Sequence, residues 1–297
     1  MNILVLGSTG MLGHKLLQTL GESHSVTGTV RNKSNAYKNH PILGDFNLIG
    51  EIHADNFSEV KTAIQNTDPD VVVNSIGIVK QLPEANDPVK SITINSLFPH
   101  QLACLCNESN IRLIHYSTDC VFSGLKGNYK ETDNPDAFDL YGRSKLLGEV
   151  TEGDSLTIRT SVIGRELETT HGLVEWFISQ NGKQIRGYNK SIFSGLTTNT
   201  HAKVLKEIIN NFKNLRGLYH IASQPISKYD LLKLIKDTFR LQIDIEPDYK
   251  EICDRSLNSS DFYAETKIKI PTWSDMIIDM YTDSTPYDLM RRENVHR

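Results

Sequence analysis

Apolar positions in the first half of the chain alternate between short unbroken runs and stripes at helical spacing. Residues 3–6 form an apolar run that stops at Gly7, and residues 11–20 carry apolar side chains at 12, 16, 17 and 20, the repeat of one helix face. Residues 24–30 supply a second extended run and residues 57–66 a second helix. The branched run Val71, Val72 and Val73 is too apolar for a strand with one wet face. A helix at 94–107, a strand at 112–116, a helix at 141–150 and a strand at 155–159 continue the alternation. Strands apolar on both faces, separated by crossovers of helix length, predict an α/β fold built on a doubly wound parallel sheet. The right-handed crossover rule fixes its winding.

The second half is less regular. A polar, glycine-containing passage at 181–195 precedes a helix near 199–212 and a strand at 217–222. After Pro225 come a helix, a short strand around 243–245 and mixed structure. The pattern assigns residues 1–162 plus 190–222 to the sheet domain. Residues 163–189 plus 223–297 then form a smaller C-terminal domain over the carboxyl edge of the sheet, where open α/β sheets take their ligands.

Composition narrows the function. The 297 residues are 38% hydrophobic and 23% charged, and 32 basic against 36 acidic residues leave a net charge of −4. The basic clusters Arg31/Lys33 and Arg291/Arg292 are too small to follow a polyanion backbone, so no nucleic-acid partner is expected. No stretch approaches the roughly 18 apolar residues of a membrane helix, and the chain enters a strand at once without a leader-like segment. Cys104, Cys106, Cys120 and Cys253 lack zinc-type spacing, and the first two read as small buried thiols of one helix. A cytoplasmic location and no metal are the expectations.

Gly7-Ser8-Thr9-Gly10-Met11-Leu12-Gly13 lies between the first strand and the first helix. Backbone amides at a helix N-terminus, with no Cβ in the way, bind phosphate. Gly7 would make the turn, Gly10 admit a pyrophosphate and Gly13 let the helix pack on the sheet, which indicates an NAD(P)-binding Rossmann fold. Thr9, Met11 and Leu12 lie beside the phosphates on this reading. The second strand ends near Arg31, Asn32 and Lys33 with no acid. A guanidinium there pairs with a 2′-phosphate, so NADP(H) is preferred and NAD(H) possible. Stacking of Arg31 on the adenine, or plain solvation, is the alternative. Asp55 has two readings, an adenine-edge contact or a helix cap.

Tyr141-Gly142-Arg143-Ser144-Lys145 puts a phenol and an ammonium on one helix face. Ketone reduction needs a proton at oxygen, and a neighbouring cation makes a phenol more acidic. Thr118, in Tyr116-Ser117-Thr118-Asp119 at a strand end, is the first choice to bond the carbonyl oxygen, with Ser117 nearby. Alone, the Tyr141/Lys145 pair also fits an exposed helix couple; behind a nucleotide turn it points to chemistry. His14, His100 and His171 show no relay partner and read as solvated or packing residues. Glu166, Arg186, Ser194 and Thr197 are further polar groups within reach of a ligand held over the carboxyl edge of the sheet on this reading.

These stretches resemble the extended short-chain dehydrogenase/reductase family, and within it the dTDP-4-dehydrorhamnose reductase group. The resemblance rests on 7–13, on Tyr-Ser-Thr-Asp-Cys-Val-Phe-Ser-Gly at 116–124, on Tyr-Gly-Arg-Ser-Lys-Leu-Leu-Gly-Glu at 141–149, on 193–198 and on 254–260. It implies Thr118, Tyr141 and Lys145 as a catalytic triad, with Ser75, Ile76 and Gly77 lining the cofactor. It also implies Asn95 as a structural or helper group, and Thr160 after the strand nearest the nicotinamide amide. The implied substrate is a nucleoside-diphosphate 4-keto-6-deoxysugar, reduced during cell-surface polysaccharide synthesis. A homodimer is possible.

The departures fall at the sugar. Cys120 stands where the family usually has tyrosine, and Ile78-Val79-Lys80-Gln81-Leu82 differs in a passage that should face the sugar. Asp254-Arg255-Ser256-Leu257 replaces an Arg-Pro-x-x-Ser stretch. Lys80, Ser117, Cys120 and Arg186 are the expected substrate contacts. Dehydration needs a further acid and base, and Cys120 takes the place of the usual carboxylate. A 4-epimerase and a non-catalytic nucleotide-binding regulatory subunit stay open.

Overall fold

The computed structural model describes residues 1–288 and residue 290; the Arg291/Arg292 cluster and the end of the expected C-terminal domain lie outside the described residues. The centre is a seven-stranded sheet. Its first six strands in chain order are β1 (Asn2–Leu6), β2 (Ser25–Thr29), β3 (Asn47–Ile49), β4 (Val71–Asn74), β5 (Arg112–Tyr116) and β6 (Ser155–Arg159). Four short strands follow: β7 (Val162–Ile163), β8 (Gln184–Tyr188), β9 (Ser191–Phe193) and β10 (Leu196–Thr197). β11 (Gly217–His220) completes the main sheet, in the spatial order β11-β6-β5-β4-β1-β2-β3. Every pairing in it is parallel. The order reverses between β1 and β4, so the switch point of the sheet falls there.

Strand alternation divides the core. Leu4, Leu6, Val72 and Leu113 face one side, with α2 (Phe57–Thr67) and the helical run after β4. Ile3, Val5, Val71, Val73, Ile114 and Ile158 face the other, with α1 (Gly13–Gly21). The run after β4 is continuous but changes pitch: α3 (Pro88–Ser91), a π-helical stretch (Ile92–Leu97) and α4 (Phe98–Glu108). α5 (Leu140–Leu147) packs on that π-helical stretch.

α6 (Leu173–Ile178) and α7 (Thr198–Asn211) come next, with α7 beside α1. Beyond β11 lie β12 (Ile226–Ser227), α8 (Lys228–Phe239), β13 (Asp244–Asp248), β14 (Cys253–Asp254), α9 (Ser260–Thr266) and α10 (Trp273–Tyr281). β13 pairs with β8, while β12 and β14 flank β9. The passage at 181–195 is therefore mostly strand, and β9 joins strands that come after residue 223. Among the described residues no helix is long and apolar enough to cross a membrane. Of the two helix cysteines, Cys106 is buried but Cys104 is exposed, which corrects half of that expectation.

Candidate active site

The glycine turn is shaped as a phosphate cradle. Gly7 has φ +87, a left-handed conformation that a side chain resists, and a Cβ there would press on Ile76 at 3.0 Å. A Cβ on Gly13 would strike the Gly7 carbonyl, so this glycine lets α1 approach the turn itself rather than the sheet. Gly10 is exposed. α1 begins at Leu12 without a side-chain cap. The amides of Thr9, Met11 and Leu12 find no acceptor among the described residues, which leaves donors and the positive helix end for an anion.

The loop after β4 closes the other side. Ser75 is tied by its amide and hydroxyl to the Leu6 carbonyl, and the Ile76 amide to Asn74. Asn95, buried in the π-helical stretch, accepts from the Ile78 amide and donates to the Ile78 carbonyl and to Ser144. A Cβ on Gly77 would lie 3.4 Å from Asn95 and 3.7 Å from Lys145 Nζ. The glycine turn, the Gly77 loop and α5 thus meet at the C-terminal edge of the sheet, and these residues fit a dinucleotide.

Lys145 is buried and donates to the Tyr116 carbonyl at 2.7 Å. Burial brings its pKa down from 10.5 to about 8, against the opposing pull of the Glu149 carboxylate. Tyr141, one turn earlier, is half-buried. Loss of water, then Cys120 and the carboxylates of Asp119 and Asp139, push its phenol above the ordinary value, while a hydrogen bond with Thr118 acts the other way. These surroundings together raise the phenol, the opposite direction to the acidification expected from a neighbouring cation.

Thr118 Oγ1 accepts the Cys120 amide at 3.1 Å and donates to Asp119 Oδ1 at 3.2 Å. Ser117 points elsewhere: its hydroxyl donates to Glu149 at 2.6 Å, and Glu149 takes two bonds at 2.7 Å from buried Arg159. This corrects its expected place at the substrate. Thr160 donates to the Ile221 carbonyl and bonds His201, each at 2.8 Å within a buried site.

Toward the sugar side, Lys80 pairs with Asp139 at 2.7 Å, and Asp139 caps α5 through the Gly142 amide. Burial, followed by the charge of Asp119, pushes the Cys120 thiol up to about 12, so it is an uncharged contact. Arg255 is the cation the motifs did not single out: its Nε donates to the Phe122 carbonyl and its charge faces Cys120, Asp119 and Asp139. Its one signal in the sequence is the altered Asp-Arg-Ser-Leu stretch.

Arg186 is an exposed side chain of β8 beside Asp248, and the interactions around Tyr141 do not include it. Arg31 is exposed directly after β2, and Asp55 is exposed beside Asn56, which rather than Asp55 is the N-terminal residue of α2. Ser194 accepts from the Leu257 amide and Thr197 caps α7. Glu166 accepts from the Gly172 amide. His100 is exposed against the Leu147 carbonyl and His171 is exposed, whereas His14 is fully buried with partners on both ring nitrogens.

Comparison with known proteins places the chain among sugar-nucleotide reductases and their relatives. A probable low-salt glycan biosynthesis reductase (Agl14) of Haloferax volcanii is 28% identical over 235 residues, 75% of either chain. The solved structure of a hypothetical dTDP-4-dehydrorhamnose reductase from Sulfolobus tokodaii superposes with a TM-score of 0.75 at 27% identity, covering 91% of this chain and 96% of the other. Methionine adenosyltransferase 2 subunit beta of Danio rerio is 25% identical over 259 residues, 80% of this chain and 74% of its own. The model of the RmlD substrate binding domain matches residues 1–285, and the chain belongs to that family.

Proposed function

We propose that the protein is a nicotinamide-dependent reductase of nucleoside-diphosphate 4-keto-6-deoxysugars, acting in cell-surface polysaccharide synthesis. The observation that carries it is the placing of Tyr141, with Thr118 among its neighbours, one turn from Lys145 on a helix whose Lys145 lies against Gly77, in the loop that also packs on Gly7 of the glycine turn. The dinucleotide, when bound, supplies the hydride. Tyr141 gives its proton to the carbonyl oxygen as that oxygen takes negative charge. Thr118 holds the oxygen in line with the phenol, and Lys145 steadies the sugar of the cofactor with its ammonium. Donation requires the acid form, which a phenol holds at neutral pH.

Gly7, Thr9, Gly10, Met11 and Leu12 hold the pyrophosphate, and Gly77 leaves room beside Lys145. Arg31, exposed after β2, supports NADP(H) over NAD(H), with Asp55 toward the adenine. Residues 1–162 plus 190–222 carry the dinucleotide and 163–189 plus 223–297 the sugar, with Lys80, Cys120 and Arg255 as its contacts. Exposed Val89, Ile92 and Leu97 beside Leu147 support a homodimer through this helix face, and the composition supports a cytoplasmic place. The likeness to a methionine adenosyltransferase subunit favours a second reading, a nucleotide-binding regulatory subunit.

Incubation with NADPH and a panel of UDP-, dTDP- and GDP-linked 4-keto sugars separates the two. The reductase reading expects loss of reduced-coenzyme absorbance with at least one sugar. Dinucleotide binding without turnover of any sugar would favour the regulatory subunit.

A further inference from the structure

α1 begins the dinucleotide site, yet its first polar side chains are satisfied from the far end of the chain. His14 is fully buried. Its Nδ1 lies 2.9 Å from the Gly10 carbonyl and its Nε2 2.7 Å from the Tyr287 hydroxyl. Burial brings its pKa down to about 4, so the ring is neutral at physiological pH. A carbonyl only accepts, so Nδ1 carries the proton and Nε2 takes the hydrogen of Tyr287. Lys15 pairs with Asp283 and donates to Thr285, and Gln18 also donates to Thr285. Arg165 holds the segment from the other side: its guanidinium lies 4.8 Å over the Tyr287 ring and 2.7 Å from Asp288.

Gly10 is the middle glycine of the phosphate turn. A trans peptide unit is planar, with its C=O and N–H pointing in opposite directions. Fixing the Gly10 carbonyl toward His14 therefore aims the Met11 amide out of the turn, where a phosphate oxygen would lie. We infer that His14 and Tyr287 are positioning residues for dinucleotide binding, a brace by which the 283–288 segment sets the amides of the glycine turn. The inference rests on the dinucleotide reading of that turn.

The test is dinucleotide affinity, measured by quenching of intrinsic fluorescence with NADPH, for the full chain and its variants. Tyr287→Phe removes one hydroxyl and strands a buried acceptor; it should weaken NADPH binding on the order of tenfold. His14→Leu should do the same, whereas His14→Gln, whose amide can both donate to Gly10 and accept from Tyr287, should recover most of the affinity. Lys203→Ala, which removes an exposed pair with Asp279 on the far side of α7, should leave binding unchanged. In steady state the loss should appear in KM for NADPH, with kcat at saturating NADPH retained. Equal affinity of Tyr287→Phe and the unaltered protein, or His14→Gln binding no better than His14→Leu, would overturn the brace. An unaltered protein that binds no dinucleotide would instead overturn the reading on which it rests.

Discussion

On the proposed mechanism three side chains have distinct chemical duties. The Tyr141 phenol, whose pKa its surroundings raise, is assigned the donation of a proton. Tyr141→Phe should cut turnover by roughly 10²–10⁴-fold while NADPH affinity stays close to that of the unaltered protein; retention of turnover in a single-turnover assay would remove Tyr141 from its post. Lys145 titrates near 8. Its charge is present below that pH and lost as pH rises through it, so kcat/KM should fall along an alkaline limb near pH 8. Arg31→Asp should shift the ratio of kcat/KM values toward NADH, and an unmoved ratio would mean that the guanidinium is only solvated.

Elements with apolar neighbours on both faces announce themselves in the amino-acid pattern. β5 and β6 are buried along their whole length, and the apolar residues within them mark a strand covered on both faces. β3 leaves no such trace, since Asn47, Leu48 and Ile49 are at the sheet margin and none is fully buried. β8 is silent for the same reason, lying in a largely exposed two-stranded pair, and of its partner β13 only the start shows, in the short run at 243–245. Side-chain direction is equally illegible. Ser117 and Thr118 are adjacent in sequence, and only the pleat decides that one meets Glu149 and the other Tyr141. α5 is fastened at its C-terminal end by the Glu149–Arg159 pair, whose side chains are 8% and 4% exposed. Glu149→Gln leaves Arg159 buried without its counter-charge and should cost about 3 kcal/mol of stability. It also removes the carboxylate that supports the Lys145 ammonium, so the alkaline limb should move to lower pH. A denaturant midpoint and a pH profile both unchanged would separate Glu149 from the catalytic helix.

At the scale of the molecule, the fold and the nucleotide turn follow from periodicity and glycine spacing, while the link between α1 and residues 283–288 has no local signature. A dinucleotide that binds only the folded chain should stabilise it by about 2.7 kcal/mol at a hundredfold excess over its Kd, seen as a rise in melting temperature; no shift with NADPH or NADH would exclude the glycine turn as its site. The order of synthesis adds a consequence. The glycine turn is synthesised well before Asp283, Thr285 and Tyr287, which complete the polar side of α1. A nascent chain that has emerged only as far as α10 has its sheet strands and lacks those three groups, so on the proposed brace it should hold the cofactor more weakly until the 283–288 segment has followed.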